Sequence, residues 1–226
     1  MRVVISRRPL KSMMRWSQYI LLAAGVSLLA YCGFVLADTW TFQRRQNRQL
    51  AQLMAQRHVA NGAPRITVSA VLPYKSSPTA AGDLIGRIEI ERLGMSAIVI
   101  EGTSRRVLQR AVGHIFGTAL PGEPGNVGIA GHRDTFFRPL RNVRRDDIIN
   151  LTTPLGDYRY RVVSTSIVGP QDSVVLDPSS NQALTLVTCY PFYFVGAAPR
   201  RFIVRAERLE ASGTSLLSDI SRRPPK

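Results

Sequence analysis

Leu184-Thr185-Leu186-Val187-Thr188-Cys189, followed by Tyr190-Pro191, is the stretch on which the reading of this chain turns. It is apolar and β-branched, with no charge until Arg200, and it predicts a strand. Side chains alternate across a strand. Leu184, Leu186 and Thr188 therefore share one face, and Thr185, Val187 and Cys189 share the other. Pro191 cannot donate to a ladder, so Cys189 falls at the strand's end. A free cysteine is among the most buried residue types, and packing alone would account for a thiol here. The same position also suits a reactive thiol at the open end of a rigid element.

Two other stretches bear on that choice. Asn126–His132 (NVGIAGH) is a second predicted strand. Val127, Ile129 and Gly131 share one face, and Gly128, Ala130 and His132 share the other. The face that bears the histidine carries very small residues, which leaves room for a ligand or another backbone. A third strand is predicted over Arg201–Leu209. Phe202 and Val204 face the core there, so Arg201 points the other way with Ile203 and Arg205. An arginine placed beside a cysteine can donate hydrogen bonds to a carbonyl or a developing oxyanion. An imidazole and a thiol at two strand ends are the minimum for nucleophilic catalysis by cysteine.

Further strands are read at Ile85–Ile90, Met95–Ile100, Asp147–Thr152 and Asp157–Ile167. A short helix is read over Thr103–Ala111 with Thr103 as N-cap, and a helical turn over Thr135–Val143. Residues 117–125 (GTALPGEPG) form a turn-rich loop, and residues 171–182 an irregular connection. Seven or eight short strands with little helix in about 125 residues predict a mainly β closed barrel or sandwich.

The 226 residues carry a formal net charge of +15. Residues 1–60 hold nine Arg/Lys against one Asp, whereas residues 83–210 hold sixteen Arg against thirteen Asp/Glu. The basic excess thus belongs mostly to the flanks. Aromatic and basic residues are not interleaved as a nucleic-acid platform requires, so no nucleic-acid partner is expected. Residues 19–37 (YILLAAGVSLLAYCGFVLA) are uncharged and preceded by five basic residues. As a helix they would reach about 28 Å, near the hydrocarbon thickness of a bilayer. The run is longer than the apolar region of a cleaved signal peptide, which favours a retained single-pass anchor with its N-terminus in the cytoplasm. Either reading exports the remainder. The expected layout is a basic cytoplasmic segment (1–18), a transmembrane helix (19–37), a juxtamembrane helix near lipid headgroups and a linker (38–82), a folded β domain (83–210) and a disordered tail (211–226). The helical part of the third segment is read over 41–58, with His58 a solvated residue. The two cysteines, Cys32 and Cys189, offer no disulfide framework to the exported part.

Taken together, Gly131-His132-Arg133-Asp134, then Thr185-Leu186-Val187-Thr188-Cys189, then Arg201-Phe202-Ile203-Val204 resemble the sortase family. The loop from Gly113-His114-Ile115 to Pro121-Gly122-Glu123-Pro124-Gly125-Asn126 extends the resemblance, which covers roughly residues 83–210. It implies an eight-stranded closed sortase barrel and a membrane-anchored cysteine transpeptidase. Cys189 would be the nucleophile, His132 the general acid/base and Arg201 the stabiliser of substrate and oxyanion. Thr188 and His114 are assigned to substrate binding, His114 as a loop residue bordering the cleft. The pattern looks most like class D, with class E as the alternative. Class C is disfavoured because neither a lid motif nor a second hydrophobic span is seen. The implied partners are exported proteins with an LPxTG-like sorting signal and an acceptor amine of a cell-wall precursor or another protein. No cofactor or metal is expected. Asp172 and Asp177 in the connection before the cysteine strand are too few for a calcium site. Two other readings stand beside this one. A papain-like peptidase would place Cys before His, with the Cys on a helix. A non-catalytic membrane-tethered β-domain would bury an inert thiol.

Overall fold

The computed structural model describes residues 8–62, 80–193 and 196–209. The linker read within 61–82 and the tail over 211–226 fall mostly or wholly outside them, as does the side chain of His58. The chain divides into two compact units, Met1–Phe42 and Gln43–Lys226.

Helix α1 (Arg8–Gly62) takes in both the apolar run and the 41–58 segment without a break. Neither holds a proline, and Gly25 and Gly33 stand in open space. Among the described residues α1 alone is long and apolar enough to cross a membrane. The side chains of its apolar run, among them Leu21, Leu22, Leu29, Phe34 and Leu36, are exposed, whereas Leu50 farther along is buried.

The second unit is a closed eight-stranded barrel in the order β1-β2-β3-β4-β7-β8-β6-β5. The strands are β1 (Leu84–Ile90), β2 (Met95–Glu101), β3 (Val112–His114), β4 (Asn126–Gly131), β5 (Ile148–Thr152), β6 (Asp157–Val168), β7 (Ala183–Tyr190) and β8 (Arg200–Arg208). β5 returns to β1 through pairs such as Ile88 with Leu151, which closes the wall and leaves no free edge. Two pairings are parallel, β2 with β3 and β4 with β7; the others are antiparallel. Alternation fills the interior with Ile88, Ile90, Val99, Ile129, Leu151, Val162, Leu184, Leu186 and Val204, all buried. Phe137 and Leu140, from the connection after β4, complete the core. Full burial of side chains of this size contributes about 1.5–3 kcal/mol each.

Two local expectations are corrected. The helix read over Thr103–Ala111 is a single turn, α2 (Arg105–Leu108), and Ser104 rather than Thr103 is its N-cap, accepting from the Val107 amide at 3.4 Å. The helix stops early because Ala111 is already buried and Val112–His114 has joined the barrel as β3. Three residues are too few to show a period of two, so β3 is specified by the strands on either side of it.

Candidate active site

Strands β4, β7 and β8 lie side by side, and their register sorts the outward-facing side chains into rows. Pairing of Gly131 with Thr188 brings His132, the next residue, level with Cys189. Cys189 in turn pairs with Arg201. The next row is Ala130, Val187 and Ile203, and the one below it Gly128, Thr185 and Arg205. His132, Cys189 and Arg201 therefore share the outer face at one end of three adjacent strands. All three are half-buried. Arg200 pairs with Tyr190, falls on the opposite face by alternation and is exposed.

The backbone around His132 is fixed from two sides. The Phe137 amide donates to the His132 carbonyl at 3.1 Å. The Phe137 ring packs against Gly131, where a Cβ would lie 2.7 Å from it, so no larger residue fits before the histidine. The Thr188 hydroxyl donates to the Gly131 carbonyl at 2.7 Å and is buried. Thr188 shares the inner face with Leu184 and Leu186. Its hydroxyl ties β4 to β7.

The loop placement of His114 is corrected. It is no loop residue; it ends β3, and only 2% of it is exposed. Its Nδ1 lies 2.8 Å from Glu101 Oε2 on β2, and its Nε2 lies 3.0 Å from the Ala119 carbonyl and 3.1 Å from Thr118 Oγ1. The parallel pairing of Glu101 with His114 sets the two side chains next to each other.

The space expected beside Gly128 is occupied in part. Thr118 Cγ2 and Leu176 Cδ2 lie 3.0 and 3.1 Å from where a Cβ would stand. Beyond them lies a groove of about 220 Å³, lined by the apolar Val168, Pro170, Val175, Leu176, Val187 and Ile203 and by the polar Gln171, Asp172, Ser173 and Arg201. Its wall comes from the connection before β7, where Ser173–Leu176 makes a 3-10 turn.

Arg201 donates to the carbonyls of Ala198 at 3.2 Å and Arg200 at 3.1 Å. The connection from β7 to β8 is also held from the His132 side. Arg133 donates to the Gly196 carbonyl at 2.9 Å, and Arg141 to the Tyr193 hydroxyl at 2.8 Å. Farther along the segment that follows His132, Arg92 forms a two-pronged pair with Asp147 and donates to the Asn142 carbonyl at 2.8 Å. The Arg92 guanidinium, aided by the Arg144 amide, holds the Asp147 carboxyl below the usual carboxylate range. The sequence reading did not single out these supports. Their partners are backbone carbonyls or residues far along the chain, which no local pattern marks.

A family model described as the sortase domain matches residues 88–209. Sortase D of Bacillus subtilis (strain 168) is 34% identical over 191 residues, covering 84% of this chain and 96% of that protein. Sortase SrtE1 of Streptomyces coelicolor is 30% identical over 195 residues, covering 76% of this chain and 51% of that protein. Among solved structures, a sortase D5 transpeptidase of Clostridium perfringens superposes with a TM-score of 0.60 over 75% of this chain and 99% of its own, at 24% identity, and shares the fold.

Proposed function

The chain belongs to the sortase family of cysteine transpeptidases, and on that premise we propose that it cleaves an LPxTG-like sorting signal at Cys189 and passes the acyl group to an amine of the cell envelope. The observation that carries this reading is the row His132, Cys189, Arg201 on one face of three paired strands. The Cys189 thiolate attacks the carbonyl carbon of the Thr of the signal, whose bond to the nitrogen of the next residue is the one cleaved. Arg201 donates to the oxyanion as it forms, an interaction that strengthens toward the transition state. The C–N bond breaks, His132 gives its proton to the leaving amine, and a thioester remains on Cys189. An acceptor amine then attacks the thioester. His132 takes the proton from it, and the thiolate is released as the new amide forms. Water in place of the amine gives hydrolysis. The apolar side of the groove, around Val187, Leu176 and Ile203, suits the aliphatic residue of the signal.

The proposed layout keeps the N-terminus in the cytoplasm, the apolar part of α1 in the membrane and the barrel outside. The partners are exported proteins bearing the signal, and the acceptor is an amine of a cell-wall precursor or of another protein. A reporter fused to the C-terminus is expected to be active only outside the membrane, and cytoplasmic activity overturns the topology.

The chemistry is tested on the detergent-solubilised chain with an LPxTG-like peptide and a free amine, followed by mass spectrometry. A thioacyl adduct on Cys189 and an amine-capped product are expected. Turnover by the Cys189→Ala protein overturns the reading.

A further inference from the structure

Three side chains from three strands converge on one backbone carbonyl, that of Val175 in the groove wall. Asn126 of β4 donates to it through Nδ2 at 3.1 Å, and Arg205 of β8 through a guanidinium nitrogen at 3.4 Å. Thr185 of β7 has its Oγ1 3.4 Å from the same oxygen. The three are also tied to each other. The Thr185 hydroxyl donates to Asn126 Oδ1 at 2.8 Å and accepts from Arg205 at 3.4 Å. Asn126 Nδ2 reaches the Asp177 carbonyl as well, at 3.4 Å. Asn126 and Thr185 are 2% and 0% exposed. Both ends of the Asn126 amide are engaged, which sets its orientation.

The wall needs such a hold. Between β6 and β7 the chain makes only the 3-10 turn at Ser173–Leu176. A connection of that length with so little structure is uncommon in a compact domain unless it serves a function. Free, it would have to be ordered each time a ligand entered the groove, at a cost to affinity. A buried polar cluster in which every group is satisfied moves that ordering into folding.

We propose that Asn126, Thr185 and Arg205 are positioning residues that keep the groove wall preformed, so that peptide affinity, and not the rate of the chemical step, depends on them. They sit two rows and more from Cys189 along the strands, too far to meet the reacting atoms. The kinetic part of the proposal rests on the peptide-cleaving reading above; the structural part does not.

Thr185→Val keeps the shape and removes the hydroxyl, and Thr185→Ser keeps the hydroxyl. Both are measured in the full chain in detergent against an LPxTG-like peptide, with amide hydrogen exchange read over residues 171–182. Thr185→Val is expected to raise KM about tenfold, the scale of a lost buried hydrogen bond, with kcat within about twofold. Exchange is expected to quicken in 171–182 and nowhere else in the barrel, and Thr185→Ser is expected to match the parent in both. A fall in kcat at unchanged KM overturns the proposal, as does exchange that is unchanged or quickened throughout the barrel. Should Thr185→Val not fold, Arg205→Met carries the same expectations. Should the parent itself cleave no peptide, the functional reading fails, while exchange in 171–182 still decides whether the wall is held as described.

Discussion

His114 and His132 both follow a glycine, and they sit on adjacent strands that run in opposite directions, with His114 paired to Ile129. Their surroundings are opposite. His114 has both ring nitrogens committed. Nε2 faces the Ala119 carbonyl, so it carries a hydrogen. Nδ1 faces the Glu101 carboxyl at 2.8 Å. Such a ring cannot pass protons to a ligand without breaking its own pair. His132 lies one residue past the end of its strand, half-buried and level with a thiol. The dipeptide does not separate the two histidines; burial and the partners of the ring do.

The largest effect that sharpens this contrast is expected at the thiol. Cys189→Ala should abolish peptide cleavage while the barrel still folds, because alanine replaces a half-buried group at a strand end. His132→Ala should lower kcat by about 10²–10⁴-fold, the range for losing a general acid. The double variant should be no worse than Cys189→Ala, as for groups that act as a unit. Additive losses, read as initial rates of peptide cleavage, would break the pairing of these two residues.

Arg201→Ala should cost about 10²-fold in cleavage rate, the scale of a lost oxyanion donor. Arg200→Ala, on the opposite face of β8, should change the rate by no more than about threefold, since surface substitutions away from such features have small effects. The reverse ranking would mean that the register of β8 differs from the Cys189–Arg201 pairing.

The smallest effect on chemistry is expected at His114. His114→Ala leaves Glu101 buried without its partner, and breaking a buried pair costs about 3–5 kcal/mol of stability. The melting temperature should therefore fall, while kcat measured well below it should stay within a few-fold of the parent. A His114→Ala protein that melts as the parent does yet no longer cleaves would erase the distinction between the two histidines.

Much of the site was legible in the sequence. Alternation in Leu184–Cys189 separates the thiol from Leu184 and Leu186, alternation in Asn126–His132 separates the imidazole from Val127 and Ile129, and Phe202 and Val204 select Arg201 over Arg200. The register agrees at each of these positions. The reading failed where a role depends on a partner distant in sequence. His114 lies in a stretch of turn residues and was read as loop, because nothing local announces Glu101 beside it. Alternation groups Thr188 with Leu184 and Leu186, but nothing local announces the Gly131 carbonyl that receives its hydroxyl.

The chain by itself determined a long apolar helix at the N-terminus, a mainly β domain and how the side chains of its longer strands sort onto two faces. These follow from periods of 3.6 and 2 that are written within a few consecutive residues. Only the tertiary structure decided that β3 exists, that Glu101 closes on His114 and that Asn126, Thr185 and Arg205 meet at the Val175 carbonyl. Barrel closure joins residues as far apart as Asn126 and Val175, and a buried polar group takes whichever partner closure brings within reach.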